Sequence, residues 1–254
     1  MTNPQRSALG DFTAQAEAYE RARPSYPVTL VDGLLALAQV KPGDRVADLG
    51  AGTGLFTRLL CGRGLRITAV EPAEAMRAQA PALADVTWQA GRFEQTDLPA
   101  AAFRWAVAAQ AFHWADPPKA LPEIRRILQP SGCFTVLWNN RRNEQSEVLR
   151  WTQAAIRRHI GEFDEAYRDN RAWDQVLAST GDFAFLDYRE QEHAVEMPRH
   201  RYVELWRSHN RLQHTAGPQR LAVFLADLES YLQRQGQAPI TVPYVTRCWT
   251  ARRT

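Results

Sequence analysis

Hydrophobic positions in the first half of the chain follow two alternating patterns. Segments with one apolar helical face, at 27–40, 54–64, 73–83 and 118–130, alternate with short apolar runs at 44–50, 66–72, 86–91, 103–112 and 133–140. The first pattern is typical of amphipathic helices and the second of buried strands. Strands that alternate with helices pair in parallel through right-handed crossovers. The pattern therefore predicts an α/β fold with a doubly wound parallel sheet.

The pattern changes after residue 140. A helix is predicted over 144–160, a long strand over 183–197, two helices over 201–213 and 219–235, and a final strand over 240–253. Polar residues late in 183–197 indicate the edge of a sheet. Pro243 predicts a strand edge or a bulge in the final strand, because proline cannot donate to a ladder. With no repeat and no low-complexity linker, the sequence favours one domain with a helical elaboration.

The first buried run ends in a glycine-rich turn, "VADLGAGTG" at 46–54. A dinucleotide loop has its glycines at first, third and sixth positions. Here Gly50, Gly52 and Gly54 stand at first, third and fifth. Asp48 precedes them, and a carboxylate there repels a pyrophosphate but attracts an ammonium or sulfonium group. This spacing disfavours a nicotinamide cofactor.

A second acid, Glu71, closes the next predicted strand and is followed by Pro72. An acid at that position is placed to accept both hydroxyls of a ribose. The two acids and the glycine loop together predict a site for a cationic nucleoside with a free ribose. S-adenosylmethionine fits that description.

Composition limits the other classes of function. The chain has 254 residues, 23% of them charged, and a formal net charge of +3 without a long basic run, so charge alone does not argue for nucleic acid. The three cysteines are far apart, which favours reduced thiols over a disulfide framework or a zinc site. No apolar run approaches the ~20 residues of a membrane span. Without an apolar N-terminal signal, the expected location is cytoplasmic.

The glycine loop with its two acids resembles the class I S-adenosylmethionine-dependent methyltransferases. Segment 106–132 is similar to the fourth strand and following helix of the type 11 family. The Ala-Gln-Ala-Phe-His-Trp run at 109–114, with 18–27 and 242–253, resembles a subgroup that includes relatives of trans-aconitate methyltransferase. The resemblance implies a Rossmann-like, seven-stranded, mostly parallel sheet whose last strand is antiparallel. It also implies an N-terminal lid at 1–26, a cofactor-binding core at 27–140, and cap helices with the last two strands at 141–254.

The resemblance also carries over site residues. Arg92 stands where the family has a small or acidic residue, so the adenine contact carries over to Gly91 and Phe93, with Glu94 as a further candidate. "DPPK" at 116–119 has lysine in place of the aromatic residue of amino-methylating nucleic-acid enzymes, and we interpret it as a helix start. The implied cofactor-binding residues are Tyr19, Arg23, Asp48, Gly50, Ala51, Gly52, Gly54, Glu71, Pro72, Met76, Gly91, Phe93 and Gln110.

The acceptor side is less explicit. Candidate substrate-binding residues are Trp114, Trp138, Arg141, Trp206 and His209. His113 is a candidate general base, or else it orients Trp114. His209 is a second catalytic candidate that shares a predicted helix face with Trp206, and the alternative is an amphipathic helix with Trp206 in the core. No residue cluster has metal-ligand spacing.

The sequence thus predicts methyl transfer from S-adenosylmethionine to a small molecule at oxygen, nitrogen, sulfur or a carboxylate. The expected partner is that small molecule, with no nucleic acid and no membrane, and the oligomeric state is open. Two alternatives stay open: a nicotinamide-dependent oxidoreductase, and a protein that binds S-adenosylmethionine without turnover.

Overall fold

A computed structural model describes residues 23–163, 171–236 and 238–254, apart from the side chain of residue 210. Tyr19 and most of the predicted lid lie outside the described residues. The strands are β1 Arg45–Leu49, β2 Arg66–Val70, β3 Val86–Gln89, β4 Phe103–Ala109, β5 Leu128–Arg141, β6 Phe183–Met197 and β7 Ile240–Arg253. The helices are α1 Val28–Leu37, α2 Thr57–Leu60, α3 Glu74–Ala78, α4 Pro117–Ile127, α5 Glu147–His159, α6 Trp173–Ala178, α7 Arg199–Arg207 and α8 Asn210–Arg234.

The strands form one seven-stranded sheet in the order β3-β2-β1-β4-β5-β7-β6. β1 pairs in parallel with β2 and with β4, so Asp48 has Ala69 on one side and Val107 on the other. The strand order reverses between β1 and β4. In open α/β sheets, ligands bind beyond the carboxyl ends of the strands at such a switch point. The predicted doubly wound, mostly parallel α/β sheet is confirmed.

The last strand, β7, is antiparallel, as predicted. Its contacts with β5 run in opposite chain directions, since Thr135 meets Thr250 and Asn139 meets Thr246. β7 lies between β5 and β6, so the interpretation of Pro243 as a sheet-edge residue is wrong. The Pro243 carbonyl accepts a hydrogen bond from the Arg142 amide, and proline needs only its acceptor there. β6, the strand predicted to lie at an edge, is the last strand in the sheet order.

The described residues fall into two compact units. The first comprises 25–139, 171–191 and 246–254, and alternate strand residues in it face two apolar layers. Ala47 and Leu49 of β1 pack with α4 and α6, whereas Val46 packs with α1 and α2. This alternation is the period of two that a strand imposes. The sheet in this unit is therefore covered by helices on both faces.

The second compact unit comprises 23–24, 140–163, 192–236 and 238–245. Its core joins α5, α7 and α8 with residues from the adjoining ends of β6 and β7, and Trp206 and Phe224 are fully buried in it. α8 is interrupted at Gly217, whose backbone is non-helical and is followed by Pro218. Among the helices described, none has both the length and the apolar character needed to cross a bilayer.

Several predicted boundaries differ from the structure. Helix α4 ends at Ile127 instead of Pro130, because Leu128 already pairs with Phe103 of β4 and begins β5. The helix predicted over 54–64 is reduced to α2, because turns occupy the residues before it. The predicted helix 201–213 is two helices, since α7 ends at Arg207 and His209 caps α8. α6 has no counterpart in the prediction.

Candidate functional site

The glycine loop leaves β1 with its backbone tied to β2. The amides of Gly50 and Ala51 both donate to the Val70 carbonyl, at 2.8 and 3.0 Å. Gly50, Gly52 and Gly54 have φ values of +69°, +59° and +86°. Residues with a side chain rarely adopt this left-handed backbone region, so the loop conformation requires glycine.

The three glycines differ in what surrounds them. A Cβ added to Gly50 would lie 2.6 Å from the Ala111 Cβ, and one added to Gly54 would lie 3.1 Å from the Trp88 ring. These two glycines permit close packing. A Cβ on Gly52 would meet no described atom within 4 Å. As far as the described residues go, Gly52 therefore faces open space, as a backbone that receives a ligand must.

Asp48 is a buried carboxylic acid at the carboxyl end of β1. Its side chain is fully buried, and its Oδ2 accepts a 2.6 Å hydrogen bond from the Thr57 hydroxyl. Oδ1 accepts no hydrogen bond from any residue that the structure describes. Burial raises the pKa of Asp48 to about 7; the Thr57 hydrogen bond lowers it, and the Glu71 charge raises it further. A buried acid with a free oxygen is suited to a cationic ligand.

Glu71 follows β2 and contacts the glycine loop directly. Its Oε2 accepts from the Gly52 amide and its Oε1 from the Ala73 amide, both at 2.9 Å. Burial raises the pKa of Glu71, while the hydrogen bonds from Ala73 and Gly52 and the charge of Arg77 lower it. The acid predicted to bind a ribose thus lies against the loop predicted to receive the cofactor.

The remaining predicted cofactor residues in the first unit, apart from Gln110, either follow Glu71 closely in sequence or pack against β2 and the glycine loop. Met76 is buried in α3, and the Pro72 carbonyl accepts from Arg77. A Cβ on Gly91 would lie 2.8 Å from the Val70 side chain, and one on Gly50 would lie 3.0 Å from the Phe93 ring. Glu94, the further adenine candidate, instead accepts from the Asp116 amide at the start of α4.

Gln110 follows β4 in a conformation that is unusual for a residue with a side chain. Its φ is +57°, and two hydrogen bonds hold it there: its amide donates to the Leu137 carbonyl, and its Nε2 donates to the Asn139 carbonyl. Non-glycine residues in this region concentrate at functional sites. Gln110 therefore lies directly after the carboxyl end of β4, beside the switch point of the sheet.

His113 lies in a short 3₁₀ turn, Phe112–Trp114, and is buried. Its Nδ1 accepts a 3.3 Å hydrogen bond from the Trp138 indole, and its ring lies 4.6 Å from that of Trp114. Because Nδ1 accepts, the neutral ring carries its proton on Nε2. A role as general base therefore requires the bond to Trp138 to open. Trp138 itself is buried and stacks on Trp173 at 4.2 Å.

The other acceptor candidates belong to the second compact unit. Trp206 is fully buried, with the Arg141 guanidinium 4.4 Å from its ring centre. His209 stacks on Trp206 at 6.2 Å, although the two residues do not share a helix. The His209 Nδ1 accepts from the Leu212 amide and caps α8. The interpretation of Trp206 as a core residue agrees with this burial.

The structure brings Asp48, the glycine loop and Glu71 together in the first unit. Arg23, Arg141, Trp206 and His209 belong to the second unit. The prediction from sequence missed Thr57, the hydroxyl partner of Asp48. A polar residue in the first turn after the loop was the available signal.

These residues fit S-adenosylmethionine. The cofactor carries a sulfonium, an ammonium and a ribose, and the loop offers two buried carboxylates, open space over Gly52, and one carboxylate oxygen without a described partner. Such a set attracts cations and ribose hydroxyls and repels a pyrophosphate.

Comparisons with known proteins agree with this geometry. Residues 47–136 match a family described as "Methyltransferase domain". An uncharacterized methyltransferase of Mycobacterium tuberculosis is 39% identical over 154 residues, which is 60% of this chain and 60% of that protein. The malonyl-[acyl-carrier protein] O-methyltransferase of Serratia marcescens is 31% identical over 167 residues, 59% of this chain and 62% of that protein. The chain thus spans less than two thirds of these relatives.

Solved structures share the fold. A protein of Anaeromyxobacter dehalogenans named as a type II methyltransferase superposes with a TM-score of 0.61 at 24% identity, covering 91% of this chain and 97% of that one. Phosphoethanolamine N-methyltransferase 2 of Haemonchus contortus, in complex with S-adenosyl-L-methionine, has a TM-score of 0.53 at 17% identity, covering 96% of this chain and 60% of that one. Segment 47–136 is thus similar to a methyltransferase domain, and the solved structures share its fold.

Proposed function

We propose that the whole protein transfers the methyl group of S-adenosylmethionine to a small-molecule acceptor at oxygen, nitrogen, sulfur or a carboxylate. The observation that carries the proposal is the pair of buried acids, Asp48 and Glu71, on either side of an open left-handed loop at the switch point of the sheet. Neither acid has a described cationic side chain that neutralises it by direct contact with its carboxylate. The cofactor supplies that charge.

Each residue of the loop region has a distinct task in this proposal. Glu71 accepts the ribose hydroxyls, which requires its bond with the Gly52 amide to loosen or be shared. Asp48 faces the cationic methionine end. Gly91 and Phe93 flank the adenine and Gln110 lines the floor, and the family resemblance assigns Tyr19 and Arg23 to the cofactor as well.

The sulfonium of the bound cofactor supplies an already activated methyl group. The chain's own residues then mainly hold the acceptor in line and exclude water, and orientation can lower a barrier by on the order of 7 kcal/mol. A base is needed only for an acceptor that is protonated at neutral pH. For either candidate, His113 or His209, the basic Nδ1 already accepts a hydrogen bond. We therefore assign both histidines positioning roles.

We also place the chain in the subgroup with the Ala-Gln-Ala-Phe-His-Trp signature, related to trans-aconitate methyltransferase. The support is the run at 109–114. "DPPK" begins α4 with Pro117 in its first turn, which supports a structural role over recognition of a flipped base. The proposed partner is a small molecule, with neither nucleic acid nor membrane.

The test is production of S-adenosylhomocysteine by the full chain in a screen of small acceptors. The panel includes di- and tricarboxylates, phenols, amines and thiols. We expect product with at least one acceptor, at a rate well above that of the Glu71→Ala variant. Binding of S-adenosylmethionine with no product from any acceptor would favour the non-catalytic alternative.

A further inference from the structure

Thr57, the first residue of α2, contacts Asp48 in the interior of the first unit. Its hydroxyl donates to the Asp48 Oδ2 at 2.6 Å, and both side chains are fully buried. That distance lies in the range of about 2.5–2.7 Å that is typical of a hydroxyl donating to an ionised carboxylate. The other oxygen of Asp48 accepts from no residue that the structure describes. Thr57 is therefore the described donor that holds this carboxylate in its orientation.

The glycine loop places Thr57 beside Asp48. A Cβ added to Gly54 would lie 3.1 Å from the Trp88 ring and 3.7 Å from the Thr57 Cβ, so α2 begins close against the loop. Phe56, the residue before Thr57, is buried in the apolar layer that α1 and α2 share. This packing fixes Thr57 next to the carboxyl end of β1.

The surroundings of Asp48 give this one hydrogen bond a particular weight. Burial and the charge of Glu71 both raise the pKa of Asp48, and the hydrogen bond from Thr57 is the influence that lowers it. Two arginines lie on the elements around the loop: Arg58 donates to a carbonyl of the glycine loop, and Arg77 donates to the carbonyl of Glu71. Among the described groups that act on the pKa of Asp48, the Thr57 hydroxyl alone favours the ionised form.

We propose that Thr57 is a positioning residue for cofactor binding, because its hydroxyl fixes the Asp48 carboxylate and favours the ionised form that a cationic ligand needs. A hydrogen bond to the charged form of an acid stabilises that form. Without the hydroxyl, Asp48 stays neutral to higher pH and attracts a sulfonium or an ammonium less in the neutral range. The inference rests on the proposed function, since it assigns the cationic end of S-adenosylmethionine to Asp48.

The first measurement needs no cofactor. Thr57→Val removes the hydroxyl and keeps the branched shape, whereas Thr57→Ser keeps the hydroxyl. Carbon-13 NMR follows the titration of the Asp48 carboxyl in the ligand-free full chain, and Asp48→Asn identifies its signal. We expect the pKa of Asp48 to rise by about one to two pH units in Thr57→Val, the range for one hydrogen bond to a charged group, and to return in Thr57→Ser. Should Thr57→Val not fold, Thr57→Ala replaces it, with the same rise expected.

The second measurement is the dissociation constant for S-adenosylmethionine, determined by calorimetry on Thr57→Val and on wild type at the same pH. The ratio of the two constants cancels any titration of the ligand itself. We expect a ratio of roughly five to fifty at pH 7 and a ratio close to one at about pH 9.5, where Asp48 is ionised in both proteins. A loss of packing alone would give the same ratio at every pH.

The matched control is Thr135→Val. Thr135 is also a fully buried threonine of the first unit, and its hydroxyl bonds with Trp105 and Thr250, both at 2.9 Å, instead of with an acid. We expect Thr135→Val to lower the melting temperature and to leave both the pKa of Asp48 and the pH profile of cofactor affinity as in wild type.

Two results would overturn the inference. One is an Asp48 pKa that does not change in Thr57→Val, and the other is a dissociation constant that rises by the same factor at every pH. Failure of the wild-type protein to bind S-adenosylmethionine, together with the expected rise of the Asp48 pKa in Thr57→Val, would instead overturn the proposed function.

Discussion

The protonation state of Asp48 sets the charge beside the glycine loop. Burial raises its pKa to about 7 from an ordinary 3.8, so the ligand-free protein holds a neutral acid there over much of the acidic range. The stability that neutral Asp48 gives is fully present below the unfolded pKa and is lost as the pH rises to the folded one. A cationic ligand reverses the preference, because it stabilises the ionised form.

Cofactor affinity should therefore increase with pH across the titration of Asp48. Between about one pH unit below and one above the folded pKa, the dissociation constant for S-adenosylmethionine should fall about ten-fold. Calorimetry at both pH values measures it. The groups that act on the pKa of Asp48 are Thr57 and Glu71, and Arg77 in turn lowers the pKa of Glu71. The control is Asp48→Asn, which should abolish most of the dependence of cofactor affinity on pH. The same slope in that variant would assign it to Glu71.

Removal of the Glu71 carboxylate should weaken cofactor binding. Charge-assisted hydrogen bonds contribute roughly 1.5–3 kcal/mol each, so Glu71→Ala should raise the dissociation constant about ten-fold or more. Glu74→Ala is the control, an exposed acid three residues later at the start of α3. Both proteins are titrated with S-adenosylmethionine after their folding is checked by circular dichroism. Wild-type affinity in a folded Glu71→Ala protein would remove Glu71 from the site.

At the scale of the element, the glycine loop allows a sharper prediction about cofactor binding. Gly52→Val should abolish cofactor binding in a folded protein, because the new side chain would enter the open space over the loop. Left-handed valine also costs of order 1–3 kcal/mol of stability. Gly181→Val controls for that cost, since Gly181 has φ +76° and equally empty surroundings. We expect both variants to melt earlier and only Gly181→Val to bind. Normal binding by Gly52→Val would make the loop a simple turn.

His209 lies at the break between α7 and α8 and makes two separate contacts: its Nδ1 caps α8, and its ring stacks on Trp206. Trp206→Ala should cost about 3–5 kcal/mol of stability, because the indole is fully buried. His209→Ala should cost about 1 kcal/mol through loss of the cap, and His209→Asn should restore the cap but not the stacked ring. Thermal melts measure stability, and S-adenosylhomocysteine production measures turnover. A stable His209→Asn protein with wild-type turnover would show that the imidazole is not needed.

Local patterns predicted most of the helices and strands correctly but placed some of their boundaries poorly. Apolar runs located β1 to β4, since buried parallel strands are continuously apolar. Pro130 misled the end of α4, because pairing of Leu128 with Phe103 overrides a local stop signal. The residues 201–213 looked like one helix because Trp206 and His209 keep helical spacing, and no glycine or proline marks the break at Ser208. The structure alone identified that cap.

At the scale of the whole molecule, spacing along the chain predicted the acids but not the groups that hold them. Asp48 and Glu71 were found because each ends a strand beside the switch point. Ser25 and Thr246 could not be found as partners of Asn139, because each of these bonds joins residues far apart in sequence. Asn139 at 114 residues from Ser25 is the clearest case. No periodicity within a segment reports such a bond.

The central claim is that this loop selects a cationic nucleoside over a dinucleotide. Its most direct test is calorimetric titration of the full-length wild-type protein with S-adenosylmethionine and, separately, with NADH. The account predicts saturable binding of S-adenosylmethionine with one site per chain and no heat of binding from NADH. Saturable binding of NADH without binding of S-adenosylmethionine would contradict it.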